Sequence, residues 1–132
     1  MIAQAVPTAF KVSIAEGMAK DIFRMALFTV GAELNAATPG YTTRGEVVAK
    51  GYSAGGQALK GFKILRPTER TVAITWDSPV LWPDSVITAR GALIYNASRG
   101  NSAVVVLDFG KDITSTDHEF EVGLSEFGVV GF

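Results

Sequence analysis

Apolar and polar residues alternate over several short stretches of this chain. Val72, Ile74 and Trp76 alternate with Thr71, Ala73 and Thr75, which predicts a strand with one buried face. His118 to Leu124 alternates more cleanly, with Phe120, Val122 and Leu124 on one side and Glu119 and Glu121 on the other. Val86 to Asn96 and Ala103 to Phe109 are rich in β-branched and aromatic residues and predict two further strands. The polar, glycine-containing segment from Ala97 to Ser102 suits a hairpin between them. Phe23 to Val30 predicts another strand, with weaker ones at Glu46 to Lys50 and Phe62 to Leu65.

One stretch has helical character. Ser13-Ile14-Ala15-Glu16 fits an S-x-x-E capping box, and Ile14, Met18 and Ile22 recur at four-residue spacing. Gly17 weakens that helix by up to ~1 kcal/mol relative to alanine. The whole pattern, about seven short strands at roughly ten-residue spacing, predicts an all-β fold. The expected architecture is an antiparallel β-sandwich or jelly-roll-like barrel with one short N-terminal helix.

Composition narrows the function classes. A chain of 132 residues predicts a single soluble domain over 1–132. The 12 basic and 13 acidic residues give a formal charge of −1, and no basic block is present to engage nucleic acid or an anionic membrane. Zero cysteines exclude a disulfide framework, a thiol nucleophile and any Cys-ligated metal. The first twenty residues read as a poor signal peptide, and no apolar run approaches the ~20 residues of a membrane span.

The chain contains lookalikes of catalytic motifs. Gly51-Tyr52-Ser53-Ala54-Gly55 spells the G-x-S-x-G of a hydrolase nucleophile elbow, followed by Asp77, Asp84, Asp108 and the only histidine, His118. That turn needs a long helix after the serine, and Gly55, Gly56 and Gly61 oppose one. The segment is expected to be a tight structural loop shaped by Gly51, Gly55 and Gly56 and pinned by Tyr52. Asp108-Phe109-Gly110 spells a kinase motif without the other kinase elements, and reads as a strand end. Asp108 is expected across a hairpin from Arg90, a pair worth ~0.2–1 kcal/mol. His118 has no second ligand at metal spacing, and Asp112 to Asp117 lacks calcium-loop spacing. Asn96-Ala97-Ser98 forms a glycosylation sequon that reads as a turn. Trp76 and Trp82 flank a proline turn and could form a sugar platform, although packing accounts for them as well. No catalytic residue, metal or cofactor is expected.

The chain ends are apolar without strong local structure. An N-terminal arm, 1–12, carries Ile2, Val6 and Phe10, and a tail, 126–132, carries Phe127, Val129, Val130 and Phe132. Such arms add a strand to a neighbour or fill its groove, so these seven residues are the expected partner contacts.

From Met25 to Phe120 the chain resembles a family of small virion structural proteins of tailed bacteriophages. The likeness rests on Ala26-Leu27-Phe28, Gly45-Glu46-Val47, the Gly51 to Gly56 turn with Leu59, Trp76, the run Thr88-Ala89-Arg90-Gly91-Ala92-Leu93-Ile94-Tyr95-Asn96, Ala103-Val104 and Leu107-Asp108-Phe109-Gly110. The first two dozen residues form a longer front arm than that family pattern. The resemblance implies a non-enzymatic capsid decoration (cement) protein on the capsid exterior, made in the host bacterial cytoplasm. Its implied partners are the major capsid protein and copies of itself in a homo-oligomer. A neck, tail or fibre-associated virion role is the nearer alternative, and a small hydrolase or carbohydrate-binding domain the more distant one.

Overall fold

A computed structural model describes residues 5–125 and 128–132. The elements are one helix, α1 (Thr8–Gly17), and nine strands: β1 (Phe23–Phe28), β2 (Gln57–Ala58), β3 (Lys63–Thr68), β4 (Thr71–Thr75), β5 (Val80–Ser85), β6 (Thr88–Asn96), β7 (Ser102–Thr114), β8 (His118–Val122) and β9 (Val130–Gly131). They form three open antiparallel sheets: β2-β1-β6-β7, β3-β4-β9 and β5-β8. The all-β expectation with one short helix holds, and no sheet closes into a barrel.

Period-two alternation explains the layering. On β1 and β6, Phe23, Met25, Leu27, Ala92 and Ile94 enter the main core. There they join Val72 and Ile74 of β4, Val80 and Trp82 of β5, and Phe120 and Val122 of β8. The intervening residues Ala26, Phe28, Leu93 and Tyr95 form a second cluster on the opposite face, covered by Ala32, Leu34 and Tyr41 from the long β1–β2 connection. Both faces of the four-stranded sheet are therefore covered, which is why β1 reads FRMALF almost without polar interruption.

The helix differs from its sequence signal. It begins five residues before Ser13, with Pro7 at the N-cap position and no side-chain cap. Pro7, at φ −59°, is preset for helix entry and has no N–H to satisfy, so the Ser13–Glu16 box is not used and Ser13 lies inside the helix. Ala15 is the helix's buried residue, with Val12 and Met18 packed partly on the core. Of the Ile14, Met18 and Ile22 stripe, Ile14 and Ile22 are exposed and Met18 alone packs on the core. The Thr8 hydroxyl donates to Glu69 O (2.6 Å) and Lys11 Nζ to Arg70 O (2.9 Å), fastening the helix to the β3–β4 turn. From Thr8 onward, the expected arm is thus part of the domain.

The tail also folds home. Val130 lies opposite Ile74 and Gly131 opposite Ala73, making β9 the third strand of its sheet. Phe132 and Val72 exchange both backbone hydrogen bonds, and Val129 N–H donates to Ile74 O (2.8 Å). Val129, Val130 and Phe132 pack partly against the main core, so these three expected partner contacts serve the chain's own sheet. β5 was hidden in sequence by Pro83 and by Asp84, whose φ of 49° sits in an irregularity between Trp82 and Ser85.

Candidate functional site

The loop around Ser53 carries the densest polar network, and its centre is Glu46. This residue makes a single bridge to Phe28 rather than a strand, and its carboxylate is buried. Oε1 accepts from the Tyr41 hydroxyl at 2.6 Å. Oε2 accepts from the Tyr52 hydroxyl at 2.5 Å and from Gly55 N–H at 2.9 Å. The Tyr52 oxygen in turn accepts Leu27 N–H, and its ring stacks on Trp82 at 6.3 Å between centroids. Tyr95 donates to Gly55 O (2.7 Å) and stacks on Tyr41 at 4.7 Å. Arg24 completes the ring of contacts, donating through Nη2 to Gly56 O (2.6 Å) and through Nε to Gly55 O. All three tyrosines of the chain converge here.

Local geometry requires the glycines. Gly51 (φ +83°) and Gly56 (φ +76°) both occupy the left-handed region. A Cβ on Gly56 would stand 1.7 Å from Met25 O, so this turn lies directly against the β1 backbone. The expectation of a tight loop pinned by Tyr52 agrees with this geometry. Burial first, then the hydrogen bond to anionic Glu46, pushes the Tyr41 and Tyr52 phenols well above the ordinary tyrosine range. Burial also raises Tyr95, against the lowering effect of Arg24. Both Glu46 oxygens are engaged, so this network acts as a lock that holds the Gly51–Gly56 turn on β1.

The remaining sequence candidates disperse. Ser53 is exposed in the turn and is followed by strand β2, where an elbow would continue as a helix. His118 lies at the start of β8, with Nδ1 2.9 Å from Glu119 O, and no hydrogen bond joins it to Ser53 among the described residues. Trp76 and Trp82 are both core residues, which removes them as an exposed sugar platform. Arg90 does not face Asp108. An irregularity between Ala89 and Gly91 sets Gly91 opposite Asp108, and Arg90 Nη1 lies 3.8 Å from Asp112 Oδ1. Asp108 Oδ1 accepts the N–H of Gly110, two residues on in the same strand β7. Arg90 and Asp108 nevertheless line one pocket of about 260 Å³, with Phe28, Val30 and Leu34. Among the described residues no group of three or more His, Asp or Glu could hold a metal. No helix among them is long and apolar enough to cross a membrane.

What remains open to a partner is apolar surface. Val6 and Phe10 are each 57% exposed and continue at four-residue spacing to Ile14, at 45%. Thr8, Lys11, Val12 and Ala15 fasten the other side of the helix to the domain, so this line faces outward. Ile2 and Phe127 lie outside the described residues. Val6 and Phe10 are among the partner contacts expected from sequence, whereas Ile14 entered there only as part of a helical stripe with Met18 and Ile22. Sequence reasoning missed Glu46, whose only signal was an acidic residue next to valines in a tyrosine- and glycine-rich region. In comparisons with known proteins, no family model, no curated protein and no solved structure matches the chain.

Proposed function

We propose that the chain is a non-catalytic virion structural protein of a tailed bacteriophage, a capsid decoration protein that binds the exterior of the shell and bridges major capsid subunits. The observation that carries this reading is the outward apolar line formed by Val6, just ahead of α1, with Phe10 and Ile14 on that helix, which is secured to the β module. Burying a side chain of this size is worth roughly 1.5–3 kcal/mol before association costs are subtracted. Three such contacts give modest affinity per copy, and a shell offers many symmetry-related copies over which small gains accumulate. A formal charge of −1 suits contact with protein rather than with packaged DNA. The resemblance of the Met25 to Phe120 segment points the same way. The Val129–Phe132 segment plays no part in this version, because it completes the chain's own β4 sheet.

Counting and locating the chain in purified particles tests the proposal. Hundreds of copies on the outer shell are expected. A ring of about six to a few dozen copies at the neck or tail would overturn the decoration role in favour of the neck or tail alternative.

A further inference from the structure

Strand β7 ends its sheet, and most of its outer edge is open. At its start, the 39–41 segment covers that edge: Gly40 bridges Ser102, and Ala103 N–H donates to Pro39 O (3.1 Å). At its far side the strand leaves register with β6 between Asp108 and Ile113, and Gly110 sits at φ +76°. Between these limits lies Val104-Val105-Val106-Leu107-Asp108, with no strand partner on its outer side among the described residues. A groove of about 450 Å³ is lined by Ala103 to Val106 and, opposite, by Asn35, Ala36 and Thr38. A bulge leaves Val104 unpaired with β6; Val104 and Val105 pack toward the main core and Ala103 and Val106 toward the second cluster, so a groove lined by all four takes in both faces and runs along the edge. Native edges are usually guarded by lysine, proline or inward charge. This stretch has none until Asp108, whose carboxylate is tied to Gly110 N–H.

We propose that this edge is a self-association site, at which a second copy adds its own β7 antiparallel about a two-fold axis through Val106. The open window is centred on Val106, so both copies can use all of it at once. In that register Val106 faces Val106, Val105 faces Leu107, and Val104 faces Asp108. The two Asp108 carboxylates then lie about 13 Å apart along the pair, beyond the ~8–10 Å screening length, and no like charges meet. The edge bears no charged group from Ser102 to Leu107 that would select a chain of different sequence, whereas its own sequence is self-complementary. A five-residue pairing falls short of the ~1,200 Å² of a stable interface. The dimer is therefore weak in free solution and strengthens where copies are held side by side.

The absence of cysteine makes the test direct. V106C, V104C, D108C and, as an exposed control, S53C are made singly and oxidised. V106C should form disulfide dimers at least ~10-fold faster than S53C, because the register sets its two Cα atoms within about 4.4–6.8 Å. V104C mixed with D108C should give the heterodimer in preference to either homodimer. V106C dimerising no faster than S53C, or pairing equally well with D108C, would overturn the proposal. The unmodified chain gives an independent reading: amide exchange over Val104–Asp108 should slow at least several-fold between about 10 µM and 1 mM, and no slowing there would also overturn it.

Discussion

The Tyr52 hydroxyl lies 2.5 Å from Glu46 Oε2, while Tyr41 holds the other oxygen of the same carboxylate at 2.6 Å. Ionising either phenol would set a second negative charge against a buried anion. The phenols of Tyr41, Tyr52 and Tyr95 are all raised above their ordinary value, so the folded chain holds these protons more tightly than the unfolded chain. Stability from this source is fully present below pH ~10 and is lost as pH rises above it. Tyrosinate absorbance of the native chain should therefore stay flat through pH ~10 and then rise together with loss of the near-ultraviolet circular dichroism signal. The denatured chain should titrate smoothly around pH ~10. A native phenol that ionises near pH 10 with the fold intact would show that the network is not closed.

Removing the carboxylate should cost more than removing one hydroxyl. Glu46→Ala leaves two tyrosine hydroxyls and Gly55 N–H without their acceptor, for an expected loss of ~3 kcal/mol. Glu46→Gln retains an acceptor and should lose about half as much, and Tyr41→Phe about 1–1.5 kcal/mol. Denaturant midpoints at constant m-value measure these differences. Equal losses for all three variants would contradict a network centred on Glu46.

These interactions mark the limit of what was legible in the chain. The strands at 71–76 and 118–124 announced themselves because one face of each is apolar at period two, and 23–30 did so as a nearly unbroken apolar run; the structure contains β4, β8 and β1 at those positions. The Gly51–Gly56 turn was legible because only glycine tolerates its geometry. Glu46 was not, since its partners Tyr41, Tyr52 and Gly55 come together only once β1 supplies a wall. The same holds for Val129 to Phe132. Apolar residues next to glycines fit an extended arm as well as a short closing strand, and only the free edge of β4 decides between them. Arg90 and Asp108 were set apart by one bulge, which a pattern of alternation does not reveal.

Within the Gly51–Gly56 turn, neighbouring residues should behave very differently. Gly56→Ala drives a Cβ to 1.7 Å from Met25 O at a positive φ, and the flanking backbone must move. We expect a loss of ~3 kcal/mol or more and a fall in Tm of roughly 10 °C. Ser53 is exposed and makes no side-chain hydrogen bond among the described residues, so Ser53→Ala should stay within about 0.5 kcal/mol of the parent. Thermal melts of the two variants side by side check this contrast.

The outward apolar line Val6, Phe10 and Ile14 should be separable from stability. Val6→Ser, Phe10→Ser and Ile14→Ser together change exposed positions, leaving Ala15, Thr8 and Lys11 to hold the helix. The triple variant should keep its Tm within a few degrees. If each side chain is buried on the shell, occupancy on particles should fall at least ~100-fold at matched concentration. Full occupancy by a folded triple variant would mean that the shell is gripped by another surface.

Deleting residues 128–132 should act in the opposite sense, on the fold first. The deletion removes β9, its pairing with Ala73 and Ile74, and the two hydrogen bonds between Val72 and Phe132. It also uncovers apolar surface that Val129, Val130 and Phe132 shield. Even partial burial of three such side chains is worth a few kcal/mol, so the shortened chain should lose ~2–4 kcal/mol and exchange its β4 amides much faster. A tail that served only as a contact arm would leave both quantities unchanged and reduce particle binding alone. Measuring stability and amide exchange on the isolated chain therefore distinguishes a closing strand from a docking arm without any particle present.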